Sequence, residues 1–94
     1  MSDKKYRSYE AVAKAKGWPF ELTKEEFDAI LERSCFYCGG KGSMGLDRIE
    51  SEAGFTVANV VPCCEKCAYI KRNRATSEFL THIEKIYKYR EILS

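Results

Sequence analysis

Four of the five cysteines fall in two pairs of equal spacing, Cys35-Phe36-Tyr37-Cys38 and Cys64-Glu65-Lys66-Cys67. Two residues between ligands let a knuckle aim both sulfurs at one ion while its amides face them. Four thiolates then complete a closed tetrahedral site of the structural kind, with no position left for water. Structural zinc on Cys35, Cys38, Cys64 and Cys67 is therefore the expectation. Cys63 is the spare; with Cys67 it offers C-x3-C, a poorer match. An odd number of cysteines cannot pair completely as internal disulfides, and reactive redox cysteines are the competing reading. The 25 residues from Gly39 to Cys63 exceed the ~15–20 of a plain zinc ribbon, so this insert must carry structure of its own.

Charge is the second source of chemistry. The net charge is only +2, but its distribution is blocky. Lys4, Lys5, Arg7, Lys14 and Lys16 face one acid, Glu10, within residues 4–16. Lys66, Lys71, Arg72 and Arg74 occupy 66–74 with no acid. Between them, 21–32 holds Glu21, Glu25, Glu26, Asp28 and Glu32 against Lys24. Two basic faces and one acidic face fit a polyanion-binding surface with a solvated back; ordinary solvating charge is the plain alternative. Asp47 beside Arg48, and Asn59 ahead of Val60-Val61-Pro62, are the other polar residues set among apolar ones. Their plain readings are a local ion pair and a turn asparagine. His82 is the only histidine and is expected on a helix without chemical duty.

The elements that would position these residues can be read from periodicity and punctuation. Tyr6, Tyr9, Val12 and Ala13 recur at helical spacing over 4–16, and Gly17 ends the helix. Trp18-Pro19-Phe20 is an extended connector. Thr23 and Glu26 form a capping box for a helix to about Arg33, with Leu22 and Phe27 as its hydrophobic staple. Gly45 to Ile49 reads as a strand, and Gly54-Phe55-Thr56-Val57 as the start of its return. A helix is expected over 68–74, and a last one from Thr76 with Phe79, Leu80, Ile83, Ile86, Tyr87 and Leu93 as its buried stripe.

With 94 residues, 45% of them hydrophobic and 32% charged, the chain suits one small folded domain that needs a staple. Its expected organisation is a single domain, 1–94: helices over 1–34, a zinc-knuckle core over 35–75 and a helix over 76–94. No apolar run approaches the ~18 residues of a membrane span. The opening residues carry no apolar signal core, so an intracellular, cytoplasmic and reducing compartment is expected.

The order C-x2-C, Leu46-Asp47-Arg48-Ile49, a glycine turn, Asn59-Val60-Val61-Pro62, C-x2-C and a basic helix resembles the HNH endonucleases, in their zinc-knuckle, phage-like form. The resemblance covers Cys35 to Arg74. It implies an α+β fold, a small zinc-stapled ββα-metal domain with flanking helices, and a phage-encoded, metal-dependent DNA endonuclease hydrolysing phosphodiester bonds. By position, the implied catalytic set is Asp47, Arg48, Asn59 and Ala68. Asp47 would bind a catalytic Mg²⁺ or Mn²⁺, and Asn59 would orient the base through the hairpin backbone. The family has a histidine base where this chain has Arg48, and an asparagine or histidine metal ligand where it has Ala68. Guanidinium keeps its proton near neutral pH, so Arg48 would hold the scissile phosphate instead. A methyl group offers a metal no lone pair, which implies impaired hydrolysis. DNA contacts would come from Arg48, Lys66, Lys71, Arg72 and Arg74. The alternatives are a non-catalytic zinc-containing DNA-binding module, and a protein-interaction zinc domain using the acidic 21–32 helix.

Overall fold

The Thr23 hydroxyl accepts from the Glu26 amide at 3.1 Å, and the Glu26 carboxylate accepts from the Thr23 amide at 2.9 Å. This reciprocal cap satisfies two otherwise orphaned donors and starts α2, Lys24–Leu31. A computed structural model describes residues 2–93; Met1 and Ser94, the ends of the expected 1–94 domain, lie outside the described residues. Ahead of the cap stands α1, Ser2–Lys16, which stops at Gly17. Tyr6 and Tyr9 of α1 meet the Phe27 ring at centroid distances of 5.3 and 5.9 Å, and the Tyr6 hydroxyl donates to the Leu22 carbonyl. The main apolar cluster joins Ala13, Leu22, Ile30, Phe55 and Val60, with Trp18, Phe20 and Leu46 packed against it. It locks α1 to α2 and gives both a floor.

Two short sheets follow. Strand β2, Met44–Arg48, runs antiparallel to β4, Val60–Cys64, with Met44 opposite Cys64 and Arg48 opposite Val60. The return strand is thus β4, not the expected 54–57 segment. Phe55–Thr56 forms β3, which pairs in parallel with β1, Phe20–Glu21, at the end of the expected connector. Gly54 explains the diversion. Its φ of 77° lets the chain pass where a Cβ would lie 2.6 Å from the Pro19 carbonyl oxygen, and that oxygen accepts from the Phe55 amide at 2.9 Å. Gly45 is needed for a different reason: a Cβ there would meet the Tyr9 hydroxyl at 2.6 Å, and that hydroxyl accepts from the Leu46 amide at 3.0 Å.

Strand β4 runs directly into α3, Glu65–Lys71, with Cys64 as its N-cap, so this helix begins three residues before Ala68. Then comes α4, Thr76–Leu93, of which only Thr76 and Phe79 are buried. The expected buried stripe is overturned beyond Phe79: Leu80, Ile83, Ile86, Tyr87 and Leu93 are exposed. Eighteen helical residues extend about 27 Å, and α4 leaves the body after its first turn. No helix among the described residues is long and apolar enough to cross a membrane.

Candidate functional site

The knuckle turn and the start of α3 bring Cys35, Cys38, Cys64 and Cys67 together, their sulfurs all within 4.8 Å of one another. Cys38 Sγ and Cys64 Sγ are 3.8 Å apart. That is the edge of a tetrahedron with metal–sulfur bonds of ~2.3 Å. Amides face the sulfurs as the spacing requires: Gly40 N–H donates to Cys38 Sγ, Cys64 N–H to Cys35 Sγ and Cys67 N–H to Cys64 Sγ, each at 3.4 Å. Burial opposes the Cys35 thiolate, but the amides of Cys38, Cys64 and Tyr37 outweigh it and bring this thiol down to about 6. Cys67 is pushed the other way by burial and by its sulfur neighbours. A cation entering the cluster releases such protons, because thiolates are the ligands. The four residues fit a metal ion held as a closed, structural tetrathiolate. Cys63 is not one of the four, although its side chain neighbours Cys35: it is buried in the hairpin, its thiol donates to the Cys64 carbonyl at 3.4 Å, and burial followed by the nearby Asp47 charge pushes it up to about 12.

Beside this cluster sits a second polar unit. Asp47 lies on β2 between Leu46, in the apolar cluster, and Arg48, stacked 4.0 Å over the Trp18 ring. Alternation along a strand sends Asp47 to the opposite face from both. There its carboxylate meets Lys71 Nζ at 3.0 Å, with side-chain exposures of only 11% and 1%. The same ammonium donates to the Arg48 carbonyl at 3.1 Å. The Tyr37 hydroxyl donates to Asp47 Oδ2 at 2.5 Å, so its 2.7 Å contact with the Thr76 hydroxyl is one in which Thr76 donates. Burial and the bond to Asp47 hold the Tyr37 phenol well above its usual range. This unit ties the knuckle, β2, α3 and the first turn of α4 together.

These contacts correct two expectations. Lys71 does not face solvent as a phosphate-gripping residue; it lies in the interior and balances Asp47. Asp47, in turn, is not an open carboxylate awaiting a divalent cation, because an ammonium and a phenol already occupy it. A catalytic Mg²⁺ or Mn²⁺ does not fit the residues present, since Ala68, exposed on α3, offers no second oxygen. Arg48 also has its own partners: it stacks on Trp18, lies 5.5 Å from the Phe55 centroid and donates to the Ser51 carbonyl. Burial lowers its pKa, with Asp47 opposing. Asp47 and Arg48 therefore point to different sides of the hairpin.

Asn59 sits where a hairpin brace is expected. It is buried, its Oδ1 accepts from the Glu50 amide at 2.9 Å, and its Nδ2 donates to the Glu50 and Gly54 carbonyls at 2.9 and 2.7 Å. It fixes the loop that follows Arg48. Among the other cations, Lys66, Arg72 and Arg74 are exposed. Arg72 stacks over Tyr69 at 5.0 Å, while Arg74 Nη1 caps the Ile70 and Lys71 carbonyls, both at 3.1 Å. Arg48 and Arg74 both line a groove of about 500 Å³, with Lys16, Trp18, Glu52 and Glu78. His82 lies on exposed α4. Sequence reasoning misses Tyr37 and Thr76 as members of the polar unit. The position of Tyr37 between two ligand cysteines is the signal that a knuckle side chain is held beside the hairpin.

No family model matches the chain, and no solved structure matches it. Over 92 residues, 95% of its length, the chain is 35% identical to an uncharacterized protein of Acanthamoeba polyphaga mimivirus, of which it spans 17%.

Proposed function

We propose that this chain is a zinc-stapled module of the HNH type that binds DNA along its phosphate backbone and does not hydrolyse it. The four cysteines would hold Zn²⁺, which orders the knuckle against the start of α3 and supplies no chemistry of its own. The β2–β4–α3 order and the Leu46-Asp47-Arg48-Ile49 to Asn59 spacing support the HNH reading. The observation that carries the non-catalytic form of it is the Lys71 ammonium on the Asp47 carboxylate, where the family resemblance places a divalent cation. Lys66, Arg72 and Arg74, exposed on α3 and just beyond it, supply the charge for phosphate.

Two measurements test the reading. Affinity for a DNA duplex should fall steeply with salt. Replacing Lys66, Arg72 and Arg74 by alanine should flatten the log–log slope by up to about 3 units, near 0.9 for each phosphate no longer neutralised. Supercoiled plasmid with Mg²⁺ or Mn²⁺ should stay intact, and Ala68→Asn alone should leave it intact, because Asp47 remains on Lys71. Salt-insensitive affinity would overturn the DNA reading. Nicking that disappears in Asp47→Ala would overturn the non-catalytic one.

A further inference from the structure

The outer side of α3 carries an aromatic ring among its cations. Tyr69 is 70% exposed, and Lys71, not Tyr69, is the residue that α3 buries. Among the described residues Tyr69 makes no hydrogen bond, and its one cation or aromatic contact is the Arg72 guanidinium, 5.0 Å from the ring centroid. Residues three apart are neighbours on a helix surface. Lys66, Tyr69 and Arg72 therefore follow one another in an oblique row of cation, ring and cation, each step rising about 4.5 Å along the axis.

The backbone at Arg72 adds an independent observation. Its φ of 56° is the one positive φ of a non-glycine residue among the described residues. Glycine makes such a turn freely, whereas arginine makes it under strain, and strained backbone gathers at binding sites. What arginine adds there, and glycine would not, is a guanidinium over the Tyr69 ring. Charge then decides what fits the ring. Positions 66–74 hold Lys66, Lys71, Arg72 and Arg74 and no acid. With Lys71 paired inside on Asp47, three exposed cations stand around an exposed tyrosine, and a polyanion is the complementary partner. Duplex DNA offers phosphates but keeps its bases stacked on one another. A single strand offers phosphates and open base faces together, and an aromatic ring set among cations is the arrangement on which such bases stack.

Resting on the DNA-binding reading above, we propose that Tyr69 is a stacking platform for an unpaired nucleobase, so that the chain prefers single-stranded DNA to duplex. The test is fluorescence anisotropy of the intact, metal-loaded chain with three probes: a short oligothymidylate, an abasic strand of equal length and a duplex. Tyr69→Ala should weaken oligothymidylate binding roughly 5- to 150-fold, the range of one base–aromatic stack. Its salt slope, metal content and circular dichroism should match the parent's, because no charge and no core contact is lost. Tyr69→Phe, which keeps the ring, should bind as the parent does, and duplex affinity should be the same for parent and Tyr69→Ala. The parent should hold the abasic strand, which has the phosphates without the bases, as weakly as Tyr69→Ala holds oligothymidylate. Steep salt dependence with equal parent affinity for the thymidylate and abasic strands would overturn the stacking alone, as would a Tyr69→Ala loss equal for strand and duplex. Salt-insensitive binding of strand and duplex alike would overturn the DNA reading and this proposal with it.

Discussion

Lys71 illustrates how one buried charge settles the roles of its neighbours. Taking an ammonium out of water costs several kcal/mol, which is recovered only with close and complete partners. Asp47 and the Arg48 carbonyl provide them. Lys71→Met would leave a carboxylate without its cation, and we expect a loss of about 3–5 kcal/mol in denaturant unfolding. The joint Lys71→Met, Asp47→Asn variant should recover part of that loss; an additive cost would mean the pair is not coupled. Next along the chain, Arg72 has φ 56° and ψ −128° at the end of α3, a region that side chains avoid at about 1–3 kcal/mol. Glycine relieves that strain, so Arg72→Gly should raise the unfolding midpoint. The same change removes one of the exposed charges proposed to meet phosphate and, on that proposal, should weaken DNA binding. Stability and affinity moving in the same direction would break the link between the strain and the function.

Among the elements, those set by local chemistry are legible in the sequence and those set by distant partners are not. The Thr23–Glu26 box, the Gly17 stop and the paired knuckles are short-range signals, and each stands where the sequence puts it. The β1–β3 pairing joins residues 20–21 to 55–56, and nothing in either segment names the other. The Lys71–Asp47 pair likewise spans β2 and α3, so a lysine on a basic helix reads as exposed until the tertiary contact is known. In α4 the stripe is apolar, as its spacing says, but it is not buried within the chain, because periodicity reports a face and not its partner. Asn59 offers the test at this scale. Removing its side chain leaves the Glu50 amide and two carbonyls without their partner, at about 1–3 kcal/mol for a buried donor left unmet. Asn59→Ala should lower stability by that order and speed hydrogen exchange at the Glu50 amide. Unchanged exchange at Glu50 would mean that the loop is held by something else.

Across the whole molecule, apolar burial and the clustered thiols are unevenly divided. The cluster of Ala13, Leu22, Ile30, Phe55 and Val60 serves α1, α2 and the strands. In α3, by contrast, Ala68, Tyr69 and Ile70 are exposed and only Lys71 is buried. What holds α3 is therefore the thiol cluster at its start and the ion pair at its end. A metal ligated by Cys35, Cys38, Cys64 and Cys67 would contribute its binding free energy directly to folding of this half. Removing the metal should loosen the knuckle, α3 and the first turn of α4, while Trp18, packed on the apolar cluster, keeps its surroundings. Chelation should then give rapid exchange at the α3 amides and at Phe36–Gly40, with little change in tryptophan fluorescence. Cys64→Ser should produce the same pattern without chelator, since it removes a ligand thiolate while its hydroxyl can still cap α3. Cys63→Ser should bind metal at the parent stoichiometry, because the four grouped sulfurs are those of Cys35, Cys38, Cys64 and Cys67. Simultaneous loss of the Trp18 environment and α3 protection would show that metal and core fold as one cooperative unit, and equal metal loss from both serine variants would move the ligand from Cys64 to Cys63.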